Sequence, residues 1–243
     1  LLIVFGCIST TTDPKQAYNL LIPIFDNSIL LTHKSKFVQF IFVHLCGLDS
    51  ARSSKTTDLP LSSNFVAHLL SLVFSPSQPR IHRQCAASYA ASFVSRTNFT
   101  DASTVADTVS NLLSWCEDYV DSLRSSSPRS DDNGSSDRAM SSPKKRARTP
   151  SNSPPSSPRR SPSLLDTNLF YTIAQASFYI MCFRGREAME GCGEDVDLSP
   201  RRWERLVSHP LQPLKHCLET VRREFCVVAE VFDLLRMETI TIY

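Results

Sequence analysis

Glycine is scarce in this chain: six residues in 243, three of them (Gly185, Gly191 and Gly193) close together. An all-β protein needs many tight turns, so this scarcity argues against a sandwich or barrel. Those three glycines form neither G-x-G-x-x-G nor a P-loop, and no other phosphate-cradling loop is present. Eight cysteines occur, at 7, 46, 85, 116, 182, 192, 217 and 226, but none makes a C-x2-C pair. Most lie inside apolar helical runs, which reads as buried free thiols in a reducing compartment rather than a metal site. The six histidines show no H-E-x-x-H spacing. No catalytic template fits, so the expectation is a non-enzyme with no cofactor. No apolar run reaches the roughly 20 residues that a membrane span needs. The opening Leu-Leu-Ile-Val-Phe-Gly-Cys-Ile lacks both a methionine and a preceding basic region. It reads as a truncated amino end rather than a signal peptide.

What the chain does have is 42% hydrophobic residues, enough for a real core, and a net charge of +2 that is unevenly spread. Residues 125–163 hold eight Lys/Arg and three Asp, hence +5, which leaves −3 for the remainder. The same stretch carries fourteen Ser and seven Pro and no Leu, Ile, Val or Phe. Such a segment cannot bury enough apolar surface to offset the entropy of ordering, so it is expected to be a disordered linker. Its basic cluster Lys144, Lys145, Arg146 and Arg148, followed by Arg159 and Arg160, reads as a nuclear localisation signal for an import receptor. Six Ser/Thr-Pro pairs (Ser127, Ser142, Thr149, Ser153, Ser157 and Ser161) suit proline-directed kinases. Phosphates there would reverse the local charge, each adding roughly −1.5 to −2.

Helical periodicity dominates elsewhere. Phe37, Phe40, Ile41, His44, Leu45 and Leu48 follow i, i+3, i+4, i+7, i+8, i+11. Further helices are predicted over 14–31, with Pro23 kinking or dividing it, then over 63–74 and about 80–97. Asp101 is the predicted N-cap of the next one, and helices near 200–208 and 211–236 close the chain, with Ser199-Pro200 as a cap. The cluster Arg201, Arg202, Arg205, Arg222 and Arg223 reads as solvated helix faces. Units at 63–97, 101–184 with the linker removed, and 199–236 each look like helix–turn–helix, close to the period of HEAT-type repeats. The expected fold is therefore an all-α, HEAT-like helical repeat solenoid interrupted by a disordered Ser/Pro/basic linker. Repeats fill 1–124 and 164–243, and the linker fills 125–163.

The run Phe170-Tyr-Thr-Ile-Ala-Gln-Ala-Ser-Phe-Tyr-Ile-Met-Cys-Phe-Arg184 is apolar around nearly its whole circumference. A helix of that kind has to be packed between other helices, as the inner helix of a stacked α-solenoid is. Its pattern FY-x3-QA-x-FY-x2-CFR resembles the RNA polymerase I-specific transcription initiation factor family. Three further stretches agree and come in order: Thr32-His-Lys-Ser-Lys-Phe-Val-Gln-Phe-Ile-Phe42, Arg83-Gln-Cys-Ala-Ala-Ser-Tyr-Ala-Ala-Ser-Phe-Val-Ser-Arg-Thr-Asn-Phe99, and Pro213-Leu-Lys-His-Cys-Leu218. Together they span roughly residues 20–235.

The resemblance implies a stack of HEAT-like repeats with no enzymatic activity. It also implies binding to RNA polymerase I, and a bridge from the polymerase to the promoter selectivity factor at ribosomal RNA genes in the nucleus and nucleolus. This chain would be the middle-to-late part of a longer protein, with the principal polymerase-binding serine surface upstream. The resemblance assigns Phe93, Val94, Ser95, Arg96, Thr97 and Asn98 to contact with the selectivity factor, although a lysine expected near Asn98 is missing. Direct sequence-specific nucleic-acid binding is not expected, because the part outside the linker is net acidic, and membrane attachment is not expected, because the apolar runs are too short to span. Two other readings stay open: a generic HEAT-type nuclear scaffold, and an RNA-binding splicing or chromatin protein acting through its Ser-Pro-Arg linker.

Overall fold

The computed structural model describes residues 13–32, 40–52, 59–126, 164–236 and 238–239. The regular structure there is helical: α1 (Pro14–Ile24), α2 (Phe40–Arg52), α3 (Leu61–Phe74), α4 (Arg80–Arg96), α5 (Ala102–Ser126), α6 (Leu164–Glu190), α7 (Pro200–Val207) and α8 (Glu219–Val231). A π-helical turn, Phe25–Ile29, extends α1, and a 3-10 turn, Pro213–His216, precedes α8. Most of the stretch 125–163 lies outside the described residues; α5 runs to Ser126 and α6 begins at Leu164.

The helices stack in two layers, as in an α-solenoid. α4, α6 and α8 lie side by side in one layer, and α3, α5 and α7 back them in the other. The α1–α2 pair adds to the front of this stack: Tyr18 of α1 meets Phe42 of α2 edge-on at 6.1 Å and Phe65 of α3 edge-on at 6.4 Å. At the centre runs α6, packed on α4, α5 and α8. Its Phe170, Ile173, Ala174, Phe178, Ile180 and Met181 are all buried. This is why the helix is apolar on most sides: it has neighbours on most sides.

Two aromatic clusters anchor the core. Phe42 stacks on Phe65 at 4.4 Å, with Phe25, Tyr89 and Phe93 around them. Further along, Phe178, Trp203 and Phe225 tie α6, α7 and α8 together, with ring centroids 4.5–6.1 Å apart. Each such pair contributes about 0.5–1.5 kcal/mol beyond the area it buries. Polar links add direction. Asp49 of α2 is buried and accepts the Leu61 N–H at 2.9 Å, satisfying one orphan donor at the start of α3. His68 meets Asp26 at 2.8 Å.

Local details depart from expectation in three places. The segment 211–236 is not one helix: Gln212 sits in the left-handed region (φ 48°), Pro213 opens a 3-10 turn, and α8 starts only at Glu219. Proline removes the donor that a helix passing through would need. Ser199 precedes Pro200 as predicted, but its hydroxyl makes no capping bond. Within the arginine cluster Arg201 and Arg223 are exposed, as predicted, but Arg202 and Arg205 are not merely solvated. Arg202 grips Glu117 at 2.7 Å and the Ser114 hydroxyl at 2.8 Å, and Arg205 pairs with Asp121, so both fasten α7 to α5.

Candidate partner-binding surface

The surface is built on the carboxyl end of α4. The helix begins after Pro79, and its buried stripe of Cys85, Ala86, Ala87, Ala90, Ala91, Phe93 and Val94 faces the core. The four alanines carry little side-chain volume, so α3 and α6 approach closely. The helix stops at Thr97, which turns extended (φ −101°, ψ 104°). The Thr97 hydroxyl donates back to the Phe93 carbonyl at 2.9 Å and pairs with the Thr100 hydroxyl at 2.7 Å. Asp101 then caps α5, as predicted: its carboxylate accepts the Thr104 N–H at 3.0 Å and the Thr104 hydroxyl at 2.8 Å. Partial burial works against its ionisation, but hydrogen bonds from Ser103 and Thr104 outweigh that and hold the carboxyl below its ordinary value.

The turn joining α4 to α5 is clamped from α6. Arg184, the last residue of the FY-x3-QA-x-FY-x2-CFR run, sits at a kink where the backbone leaves helical geometry (φ −129°, ψ 23°). Its guanidinium is buried and reaches across to three carbonyls: Val94 at 3.1 Å, Thr97, and Thr100 at 2.9 Å. Its Nε donates to Glu187 at 2.9 Å. Those carbonyls lie at the end of α4 and in the turn, where helical donors run out, although Thr97's also takes the Thr100 N–H at 3.4 Å, and a cation is the favoured partner for a helix carboxyl end.

The clamp divides the six residues assigned to partner contact. Phe93, Val94 and Thr97 are buried, so they cannot present themselves to a partner in this fold. Phe93 packs against Phe65 at 5.0 Å instead. A residue next to an exposed one on a helix points about 100° away, and here that turn leads into the core. Ser95 is half-buried, and its hydroxyl oxygen has no hydrogen-bond partner. Arg96 and Asn98 are exposed. Arg96 Nη1 donates to the Ser92 hydroxyl at 2.8 Å, and among the described residues no carboxylate pairs with it. What remains on the surface is one unopposed cation and one amide, presented on a turn locked from beneath. The sequence reading missed Arg184. Its position ending an apolar helix, immediately before Gly185, is the signal that could have found it.

The import cluster (Lys144, Lys145, Arg146, Arg148, Arg159, Arg160) and the kinase sites (Ser127, Ser142, Thr149, Ser153, Ser157, Ser161) lie outside the described residues. Among the described residues no three His, Cys, Asp or Glu side chains converge where they could hold a metal, and no helix is long and apolar enough to cross a membrane.

A family profile described as RNA polymerase I specific transcription initiation factor RRN3 matches residues 7–242. The chain belongs to that family. Its similarity to individual RRN3 proteins is spread along the whole length. An RNA polymerase I-specific transcription initiation factor RRN3 from Mus musculus is 29% identical over 231 residues, which is 93% of this chain and 29% of that protein. One from Schizosaccharomyces pombe is 27% identical over 240 residues, 96% of this chain and 33% of that protein. The chain thus spans a third or less of the length of these relatives. The crystal structure of RNA polymerase I transcription initiation factor Rrn3 matches with a TM-score of 0.70 at 19% identity, over 99% of this chain and 43% of that one. The helical stack described above is therefore the Rrn3 fold.

Proposed function

We propose that this chain serves RNA polymerase I initiation as part of a bridging factor. In this reading the turn after α4 contacts the promoter selectivity factor while other parts of the factor hold the polymerase. The observation that carries it is the pairing of an exposed Arg96, without a carboxylate partner among the described residues, with a turn whose three carbonyls are held by Arg184. A partner gains most from a charge-assisted contact when the donor is already positioned. Asn98 is the second contact, and Ser95 supports the turn from its half-buried position. The action is by binding, with no reaction catalysed and no cofactor. The factor works in the nucleus and nucleolus. The basic cluster Lys144–Arg148 with Arg159 and Arg160 engages an import receptor, and proline-directed kinases act on the Ser/Thr-Pro sites to tune partner binding.

The test uses the full-length factor and purified selectivity factor. Arg96→Glu is expected to weaken their binding about tenfold or more, as loss of a charged hydrogen bond does. Binding to RNA polymerase I is expected to stay unchanged. Equal affinity of Arg96→Glu and the wild type for the selectivity factor would overturn the assignment of this surface.

A further inference from the structure

We infer that the groove between α4 and α6, beside Arg96, is a docking slot for an acidic, apolar-anchored peptide segment of the partner. This rests on the reading that the turn after α4 is a partner surface, and it names the chemistry of what sits there. The groove has a volume of about 220 Å³. Its floor is made of small side chains, Ala91 from α4 and Ala176 from α6, both nearly fully buried. Ser88 and Ser92 form the α4 wall, and Tyr179 the α6 wall. One end closes on Arg96 and another part of the rim on Leu218.

Three features point to that occupant. First, apolar side chains stand exposed at one end of the groove and just beyond its wall, beside the polar Thr172 and Gln175 that also line it. Leu218 is 62% exposed, and Phe183, whose ring lies 4.8 Å from that of Tyr179, is 59% exposed. At about 220 Å³ the slot is smaller than the roughly 300–1,000 Å³ of small-molecule pockets, but it suits one or two apolar side chains of a docked segment. Second, the floor of alanines and the wall of serines let a backbone come close, as small residues do between packed helices. Third, the charge is one-sided. Among the residues lining the groove Arg96 is the one ionised group, and it makes no ion pair among the described residues. A carboxylate on the incoming segment would meet it, whereas a basic segment would leave the guanidinium facing a like charge. The spacing of Ser88, Ser92 and Arg96 along one face of α4 gives the segment a track about 12 Å long, at 1.5 Å per residue.

The experiment measures binding of the full-length factor to purified selectivity factor for three variants. Ser88→Trp fills the groove from an exposed position, Leu218→Asp places a like charge on its rim, and Arg96→Glu reverses its end. Thermal unfolding of each is measured alongside. Weakening of about tenfold or more by all three, with folding intact, is the expected result. Loss with Arg96→Glu alone overturns the groove but leaves the α4 turn as the partner surface. Loss with the two groove variants but not with Arg96→Glu overturns the acidic chemistry, and loss with one groove variant alone overturns the slot. No loss with any of them removes both the groove and the surface reading. A photocrosslinking benzoylphenylalanine at Ser88 provides an independent readout. The crosslinked partner peptide is expected to carry Asp or Glu within one helical turn of Leu, Phe or Trp. A basic peptide, or crosslinked nucleic acid, overturns the proposal.

Discussion

A guanidinium that leaves water has to find acceptors for its donors, or the fold loses more from desolvation than it gains from packing. Arg184 meets that demand with backbone rather than with a lone carboxylate. Three carbonyls from the end of α4 and the following turn take its Nη donors, and Glu187 takes Nε. The bonds reach 84 to 90 residues back along the chain, so one side chain joins α6 to the turn that presents Arg96 and Asn98. Arg184→Met keeps the length and removes the donors, leaving the Val94 and Thr100 carbonyls without this donor while Thr97's keeps the Thr100 N–H at 3.4 Å. It is expected to cost about 2–5 kcal/mol in urea unfolding, since each buried acceptor left without a donor costs about 1–3 kcal/mol. Arg184→Lys keeps the charge but lacks the planar fork, so it recovers only part of the loss. Amide exchange gives the local reading. In Arg184→Lys the amides of residues 97–100 are expected to lose protection more than those of α6, and a uniform loss would contradict the clamp.

Elements in this stack meet at points that tolerate no extra atom. Gly191, just past the end of α6, lies against the Ala102 carbonyl and the Ser103 amide at the start of α5, and a Cβ there would run into that backbone. Gly191→Ala is expected to destabilise by about 1–3 kcal/mol, the range for overpacking, because backbone at a helix start cannot swing away as a side chain could. By contrast a Cβ at Gly193 meets nothing within 4 Å, so Gly193→Ala is expected to be near neutral; chemical denaturation of the pair checks both. Legibility from sequence follows the same division. Where an element's own residues decide the outcome, the pattern could be read: α6 is apolar all round because it is enclosed, and Asp101 caps α5 because an aspartate before a helix can bond its first amides. Where a distant element decides, it could not. Phe93, Val94 and Thr97 lie in a motif that looks like a contact surface, yet the packing of α3 and the reach of Arg184 turn them inward. Arg202 and Arg205 looked like solvated charges because their partners, Glu117 and Asp121, are 85 and 84 residues away in sequence. The groove beside Arg96 is a product of two helices separated by the 125–163 stretch, and no local pattern announces it.

Across the molecule the seven described thiols are spread over both layers of the stack and the α1–α2 pair, and their burial predicts a fold sensitive to alkali. Cys46 in α2 and Cys116 in α5 are buried and free. Burial pushes both thiols far above their ordinary value of 9.0, with Asp49 adding to the effect at Cys46 and Glu117 at Cys116. Burial also pushes Cys182 and Cys217 up to about 12, aided by Glu224 at the first and by their mutual proximity at the second. These groups are neutral when folded and ionise near 9.0 when unfolded. Their contribution is therefore fully present below that value and is lost as pH rises from it toward the folded values. Each fully buried thiol removes about 1.4 kcal/mol per pH unit once the unfolded chain ionises. Urea unfolding from neutral pH to about pH 10.5 is thus expected to be flat at first and then to fall steeply. The variant Cys46→Ala/Cys116→Ala separates this cause from general charge repulsion. It starts less stable, since two buried sulfurs are gone, but its alkaline slope is expected to be shallower by about two thiols' worth. Parallel slopes for the variant and the wild type would show that ionisation of these thiols does not govern the alkaline limit.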